Sequence, residues 1–382
     1  MKNKVFFTLL VFLLFSCQSR PVTSEEIPSY TKDEKSQPQN YTVTFAAVGD
    51  NLFHDSLINS SLKQDGTYDF SPIYTEIKGI IQNADLAFIN QETVMAGASF
   101  GYSGYPQFNT PQSLARTHIE TGFDIMNLAN NHAMDKGRDG LYATLDFLNT
   151  FPELTVIGAR KEGPSARTVI KNNITFGFLS YTFSLNGIPL PRDNPNLVSM
   201  IDRQKMTQEI NALRPLCDFL IVSMHWGDEY QLEPNRGQIS LAQFLAEHNV
   251  DLIIGHHPHV LQRADKLPRP DGKETYVFYS LGNFASHQRE RERIIGGMMI
   301  LTFNKTHEGE LSITNFGMIP VITHYDRNFG NTKLFPLFAY TEELLNSHRL
   351  KNEGPGLSMN FFQGVLNRLN VKIITENPFN PR

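Results

Sequence analysis

The chain has 382 residues, is 40% hydrophobic and 19% charged, and carries a formal net charge of −5. That length and composition allow one or two globular domains with a core that needs no disulfide staples. The excess of acids and the lack of a basic stripe exclude an electrostatic nucleic-acid binder.

In chain order, MKNKVFFTLLVFLLFSC places Lys2 and Lys4 ahead of an apolar stretch of eleven residues, Val5 to Phe15. The stretch is shorter than a bilayer-spanning helix and fits a signal-peptide core. It ends in LFSC, which resembles a bacterial lipoprotein cleavage box. Residues 1–17 are then the signal peptide with its lipobox, and Cys17, at the end of that box, is the lipidated first residue of the mature chain that fixes the protein to the exported side of the cell envelope. A plain secretory signal or an uncleaved anchor is the alternative. Residues 18–40 are polar, contain Pro and Ser, and lack periodicity, so they read as a disordered tether. Residues 41–340 form the predicted domain, and 341–382 are assigned as a C-terminal extension.

From Tyr41 short apolar runs alternate with helical stretches. TVTFAAV and DLAFIN read as strands around the helix SPIYTEIKGIIQNA. The strand-like FDIMNLA, the helix GLYATLDFLN and the strand LTVIGA come next. RTVIKNNITFGFLSYTF reads as a hairpin turning at Asn172-Asn173. After it come CDFLIVSMHW, ISLAQFLAEH, DLIIGHH and TYVFYSLGNF, then a strand pair in GGMMILTFN and ELSITNFGMI. Cys217, opening CDFLIVSMHW, is expected as a small core residue. Buried strands with helices between them predict an α/β fold.

Polar residues sit at the ends of these runs. Asp50, Glu92, Asn131, His132, His225, His257 and His259 each follow an apolar, strand-like segment. In α/β sheets the carboxyl ends of strands gather at one edge, where distant residues can converge. In GHHPHV three histidines fall within four positions, and Pro258 restricts the backbone between His257 and His259. Carboxylates, an amide oxygen and imidazoles without a thiolate suit Mn, Fe or Zn, and such a set can hold two divalent ions.

GDNLFHD, NQE, NLANNHAMDKG, HWGDEY, GHHPHVLQ and YSLGNF resemble, in that order, the motifs of the CapA family of capsule and poly-γ-glutamate synthesis proteins. That family looks related to calcineurin-like metallophosphoesterases, which implies a four-layer α/β sandwich of two sheets flanked by helices. Carried over residue by residue, the resemblance puts Asp50 and His259 on one metal and Asn131, His225 and His257 on the other. Glu92 bridges them, and His132 is the catalytic acid. His54 is a further ligand candidate, although it follows Asp50 by four positions where the phosphoesterases have Asp-x-His. GHHPH has one histidine more than the usual GHxH, which makes His256 a supporting or substrate-facing group. Glu229 is a second catalytic candidate, and Trp226, Tyr230, His256 and Asn283 are candidates to face substrate. The resemblance implies a hydrolase acting on a cell-envelope polymer or a phosphorylated small molecule, beside a membrane polymerase complex. The alternative is a non-catalytic accessory subunit that binds polymer.

Overall fold

The computed structural model describes residues 39–379; Cys17 and the tether up to residue 38 lie outside them. The strands are β1 (Tyr41–Asn51), β2 (Leu86–Gln91), β3 (Ile125–Asn127), β4 (Thr155–Ile157), β5 (Arg167–Lys171), β6 (Ile174–Thr182), β7 (Phe219–His225), β8 (Leu252–His256), β9 (Ala264–Pro268), β10 (Glu274–Phe278), β11 (Asn283–Ala285), β12 (Ile295–Lys305), β13 (Leu311–His324), β14 (Lys333–Pro336) and β15 (Lys372–Ile373). The helices are α1 (Asp55–Ser60), α2 (Ser71–Gln82), α3 (Ser113–Thr121), α4 (Gly137–Leu148), α5 (Arg203–Leu213), α6 (Arg236–Glu247), α7 (Glu342–Ser347) and α8 (Met359–Leu366). One sheet runs β14-β13-β12-β1-β2-β3-β4, with β11 beside β1 and β15 beside β13; the other runs β5-β6-β7-β8-β10-β9.

Strand alternation builds the layers. Val43, Phe45 and Ala47 of β1 face Phe176, Phe178, Phe219 and Ile221 of the second sheet. Ala46 and Val48 face Ile73, Ile77, Leu141 and Leu145 of α2 and α4. On the outer side of the second sheet, Leu220, Val222 and Met224 pack with Met206 and Ile210 of α5 and Leu245 of α6. Helices, sheet, sheet and helices therefore form the α/β sandwich expected.

The hairpin turns at Asn172 and Asn173 with φ of 46° and 62°, the left-handed pair of a type I′ turn. Two local readings differ. TYVFYSLGNF is divided between the sheets, because the chain crosses from β10 to β11 at Gly282 (φ 64°). There the Gly282 carbonyl accepts from the Asp50 N–H at 2.8 Å, and a Cβ on Gly49 would lie 1.9 Å from that oxygen. Cys217 precedes β7 and is only partly buried, with burial pushing its thiol up to about 11.

The segment after residue 340 completes the inter-sheet core. Leu345, Leu350, Leu357, Phe362, Val365, Leu366 and Leu369 are all buried in it. Each such side chain contributes about 1.5–3 kcal/mol on burial, so together they match the ~5–15 kcal/mol that holds a domain folded. Deleting 341–382 should leave a chain without cooperative thermal unfolding by circular dichroism. A truncated protein melting like the full chain would contradict this placement.

Candidate metal centre

The expected polar residues meet where the strands of both sheets end. On β1 the alternation would send Asp50 toward the helices, on the side of Ala46 and Val48. A bulge intervenes: Val48 pairs with Ile89, but Asp50 pairs with Asn90. The extra residue, Gly49, switches the face and turns Asp50 into the space between the sheets. His225 needs no such device. It ends the inner row of Phe219 and Ile221 and aligns with His256 of β8.

A relay of side chains fixes Asp50. Ser180 donates to Asn127 Oδ1, Asn127 Nδ2 donates to Asn90 Oδ1 at 2.8 Å, and Asn90 Nδ2 donates to Asp50 Oδ1 at 2.8 Å. Asp50 Oδ2 accepts the His257 N–H at 3.2 Å and lies 3.1 Å from His259 Nδ1. Burial opposes ionisation of Asp50, yet the His256 and His259 imidazoles outweigh it and hold the carboxyl well below the usual range.

Glu92 is fully buried, and neither of its oxygens has a hydrogen-bond partner. Its Oε1 lies 3.4 Å from His225 Nε2 and 3.6 Å from His259 Nε2. Burial first, then the negative charges of Asp50, Glu229 and Asp135, push its carboxyl well above the usual range. His225 Nε2 is 2.8 Å from Asn131 Oδ1, while His225 Nδ1 and His257 Nδ1 are buried without partners. Burial, and secondarily the neighbouring histidines, drive His225 well below its ordinary value and His257 down to about 4. Both imidazoles are thus neutral at pH 7, the form that binds a cation.

His257 and His259 adopt φ of 98° and 59° on either side of Pro258. Such backbone costs about 1–3 kcal/mol per residue, and here it aims both rings at one cleft, their centroids 5.9 Å apart. Among the described residues three groups bring ligand atoms within 4.8 Å of one another: Asp50, Glu92 and His259; Glu92, His225 and His257; Glu229, His257 and His259. A buried carboxylate with two unpaired oxygens, shared by two of these groups, is the arrangement a cation satisfies. The residues present fit a metal.

Beside them, His132 Nδ1 lies 2.8 Å from Asp135 Oδ2, which also accepts the Phe108 N–H at 2.7 Å. Asn130 ties this turn to β2 by donating to the Gln91 carbonyl at 2.8 Å. Asn186, on a left-handed turn, places its amide 3.3 Å from Asn131 and 3.4 Å from His132.

Several candidates take other roles. His54 belongs to none of the three groups: it is the extended N-cap residue before α1, and its ring stands edge-on to Phe108 at 5.5 Å. Trp226 faces the α5–α6 layer, one step out of phase with His225, and donates Nε1–H to the Tyr279 carbonyl at 2.9 Å. His256 is fully buried and stacks on Phe88, with its Nδ1 3.4 Å from Asp50 Oδ1. Trp226 and His256 both contact buried protein groups. Asn283 is fully buried as well and orients His259 instead, its Oδ1 3.0 Å from His259 Nδ1. Glu229 and Tyr230 remain exposed at the mouth. Asn90, Asn127 and Asp135 lie inside the motifs NQE and NLANNHAMDKG but carried no assigned role, and Asn186 lies outside every motif.

Residues 44–288 match the family model described as bacterial capsule synthesis protein PGA_cap. The chain is 34% identical over 180 residues to "Capsule biosynthesis protein CapA" of Bacillus anthracis, covering 44% of this chain and 41% of that protein. It is 34% identical over 199 residues to "PGA biosynthesis protein CapA" of Bacillus subtilis, covering 48% and 50%. The chain thus spans half or less of the length of these curated relatives. A solved putative 5′-nucleotidase from Staphylococcus aureus superposes with a TM-score of 0.47 at 19% identity, covering 74% of this chain and 54% of that one. With well over half of its residues matched, from β1 to just past β11, the chain belongs to the PGA_cap family of bacterial capsule synthesis proteins.

Proposed function

We propose that this chain is a metal-dependent hydrolase of the cell envelope acting in the synthesis of capsule or a poly-γ-glutamate polymer. The observation that carries the proposal is Glu92, buried with both oxygens unpaired and shared by two ligand groups. In this reading Asp50 and His259 hold one divalent ion (Mn, Fe or Zn), and Asn131, His225 and His257 hold a second. Glu92 lies between them. Bound there, such ions polarise a phosphoryl or carbonyl oxygen and lower the pKa of water. The protein's own groups do the rest. Asp50 and Asn283 keep His259 in orientation, and the amide relay keeps Asp50. Asp135 accepts the Nδ1–H of His132, which leaves Nε2 to carry a proton to the leaving atom. The names of the two Bacillus relatives support the assignment to capsule synthesis.

The test is hydrolysis by the purified chain of a simple phosphodiester and a γ-glutamyl amide, each with Mn²⁺, Fe²⁺, Zn²⁺ and Mg²⁺. Turnover of either that a chelator abolishes is the expected result. Bound ions with no turnover of either would make the chain an accessory subunit of a membrane polymerase complex. Localisation belongs to the same proposal, with Cys17 as the lipid-modified mature N-terminus; one lipidated cysteine carrying more than one acyl chain suffices for stable anchoring. Mass spectrometry of the mature chain should find acylated Cys17 at its start. A retained Met1 or an unmodified start elsewhere would sink this part.

A further inference from the structure

The mouth of the cleft carries two opposite charges that do not pair with each other. Glu229 is exposed and makes no ion pair among the described residues, yet its carboxylate lies within 4.8 Å of nitrogens on His257 and His259. Next to it, Tyr230 adopts φ 67°, and its N–H donates to the Pro258 carbonyl at 2.8 Å. This sets the phenol ring 6.1 Å from the His259 ring. Burial first, then the adjoining Glu229 carboxylate, pushes the phenol up. The Arg293 guanidinium packs on that same ring, its carbon 3.4 Å from the centroid. One of its nitrogens meets Glu290 at 2.8 Å, and its other donors have no protein acceptor among the described residues. The Arg293 backbone is tied to the centre by a second path. Asn283 donates to the Arg293 carbonyl at 2.9 Å while its Oδ1 faces His259 Nδ1.

We propose that Glu229, Tyr230 and Arg293 form a binding site for a substrate group bearing both a free ammonium and a carboxylate, as found at the end of an amino-acid polymer. The proposal rests on the reading of the neighbouring residues as the reaction centre. Arg293 presents planar donors suited to a carboxylate, and stacking on Tyr230 preorganises them. Glu229 supplies the complementary acceptor for an ammonium. Glu229 and Arg293 both adjoin the Tyr230 ring and make no ion pair with each other. A bare phosphate would gain from Arg293 but meet the Glu229 carboxylate, and this unfavourable contact gives the site its selectivity.

Calorimetry on the full chain tests this with three probes: γ-glutamyl-glutamate with its free amino group, its N-acetyl derivative, and inorganic phosphate. The free dipeptide should bind at least ~10-fold tighter than the acetylated one, the order expected for one charge-assisted contact. Glu229→Gln should erase that ratio while leaving the bound metal and the melting temperature as in the wild type. Arg293→Gln should weaken both peptides by ~10-fold or more. Equal affinities for the two peptides, no binding of either, or phosphate binding that is strongest and improves in Glu229→Gln would each overturn the proposal. Loss of an ion in Glu229→Gln would overturn it too, by making Glu229 a ligand. Metal content measured on the same samples separates the two readings. Peptide discrimination in a chain that takes up no ion defeats the metal reading alone, whereas a full complement of ions without discrimination defeats this one alone.

Discussion

Glu92→Gln should stabilise the metal-free protein and destabilise the metal-loaded one. Without a cation, the Glu92 carboxyl is buried with no partner, and its folded-state pKa stands well above the ordinary value. A carboxyl whose pKa is raised by folding favours the folded state below its unfolded pKa, about 4.3. That contribution is lost as the pH rises through the folded value. The metal-free wild type should therefore lose stability with rising pH through this group, and Glu92→Gln should not. Asp50 adds no slope in this range. Its folded pKa is depressed, so its contribution is complete above the unfolded value and lost only in acid. At pH 8 with chelator, Glu92→Gln should gain about 1–3 kcal/mol, the usual cost of an unsatisfied buried group. With saturating Mn²⁺ or Zn²⁺ the order should reverse, because the wild type gains ~4 kcal/mol at a thousandfold excess over Kd. Thermal melts at pH 5 and pH 8, each with and without metal, decide it. A variant less stable than wild type in all four conditions would mean that Glu92 is held by protein contacts rather than by ions.

His132→Ala should keep its metals and lose turnover. His132 lies outside all three ligand groups, and Asp135 holds its ring by Nδ1. Removing a positioned proton donor costs about 10²–10⁴ in rate. Asp135→Asn should give a smaller loss in the same parameter, because the ring remains but its orientation and tautomer are less well fixed. Elemental analysis beside kcat checks both variants. A His132→Ala protein that loses an ion along with its rate would place His132 among the ligands.

Much of this arrangement was legible in the sequence, for a physical reason. A polar residue at the end of a buried strand has one accessible place to go, the sheet edge, so Glu92, Asn131 and His225 could be grouped without knowing the strand order. Reading side-chain direction at those ends was harder. Trp226 and His225 are neighbours, and period-two alternation alone sends one to the helix layer and the other to the cleft. Asp50 reaches the cleft only through the bulge at Gly49, which depends on the Gly282 carbonyl 233 positions later in the chain. Contacts of that kind leave no local signal. The same holds for Asn90 and Asn127, whose relay depends on the pairing of β1 with β2 and β2 with β3. The C-terminal segment reads as an extension in the sequence because its apolar residues are spread over short elements. None of them is long enough to show a persistent period.

In the proposed centre Asp50, Glu92, Asn131, His225, His257 and His259 together hold two divalent ions. Metal stoichiometry by elemental analysis, on the chain from Tyr41 onward after equilibration with Mn²⁺, Fe²⁺ or Zn²⁺ and removal of unbound metal, tests it most directly. Close to two ions per chain are expected for the wild type with at least one of these metals. Fewer are expected in His225→Ala, with the circular dichroism of both unchanged. A folded wild-type chain that retains no ion with any of the three metals would contradict it.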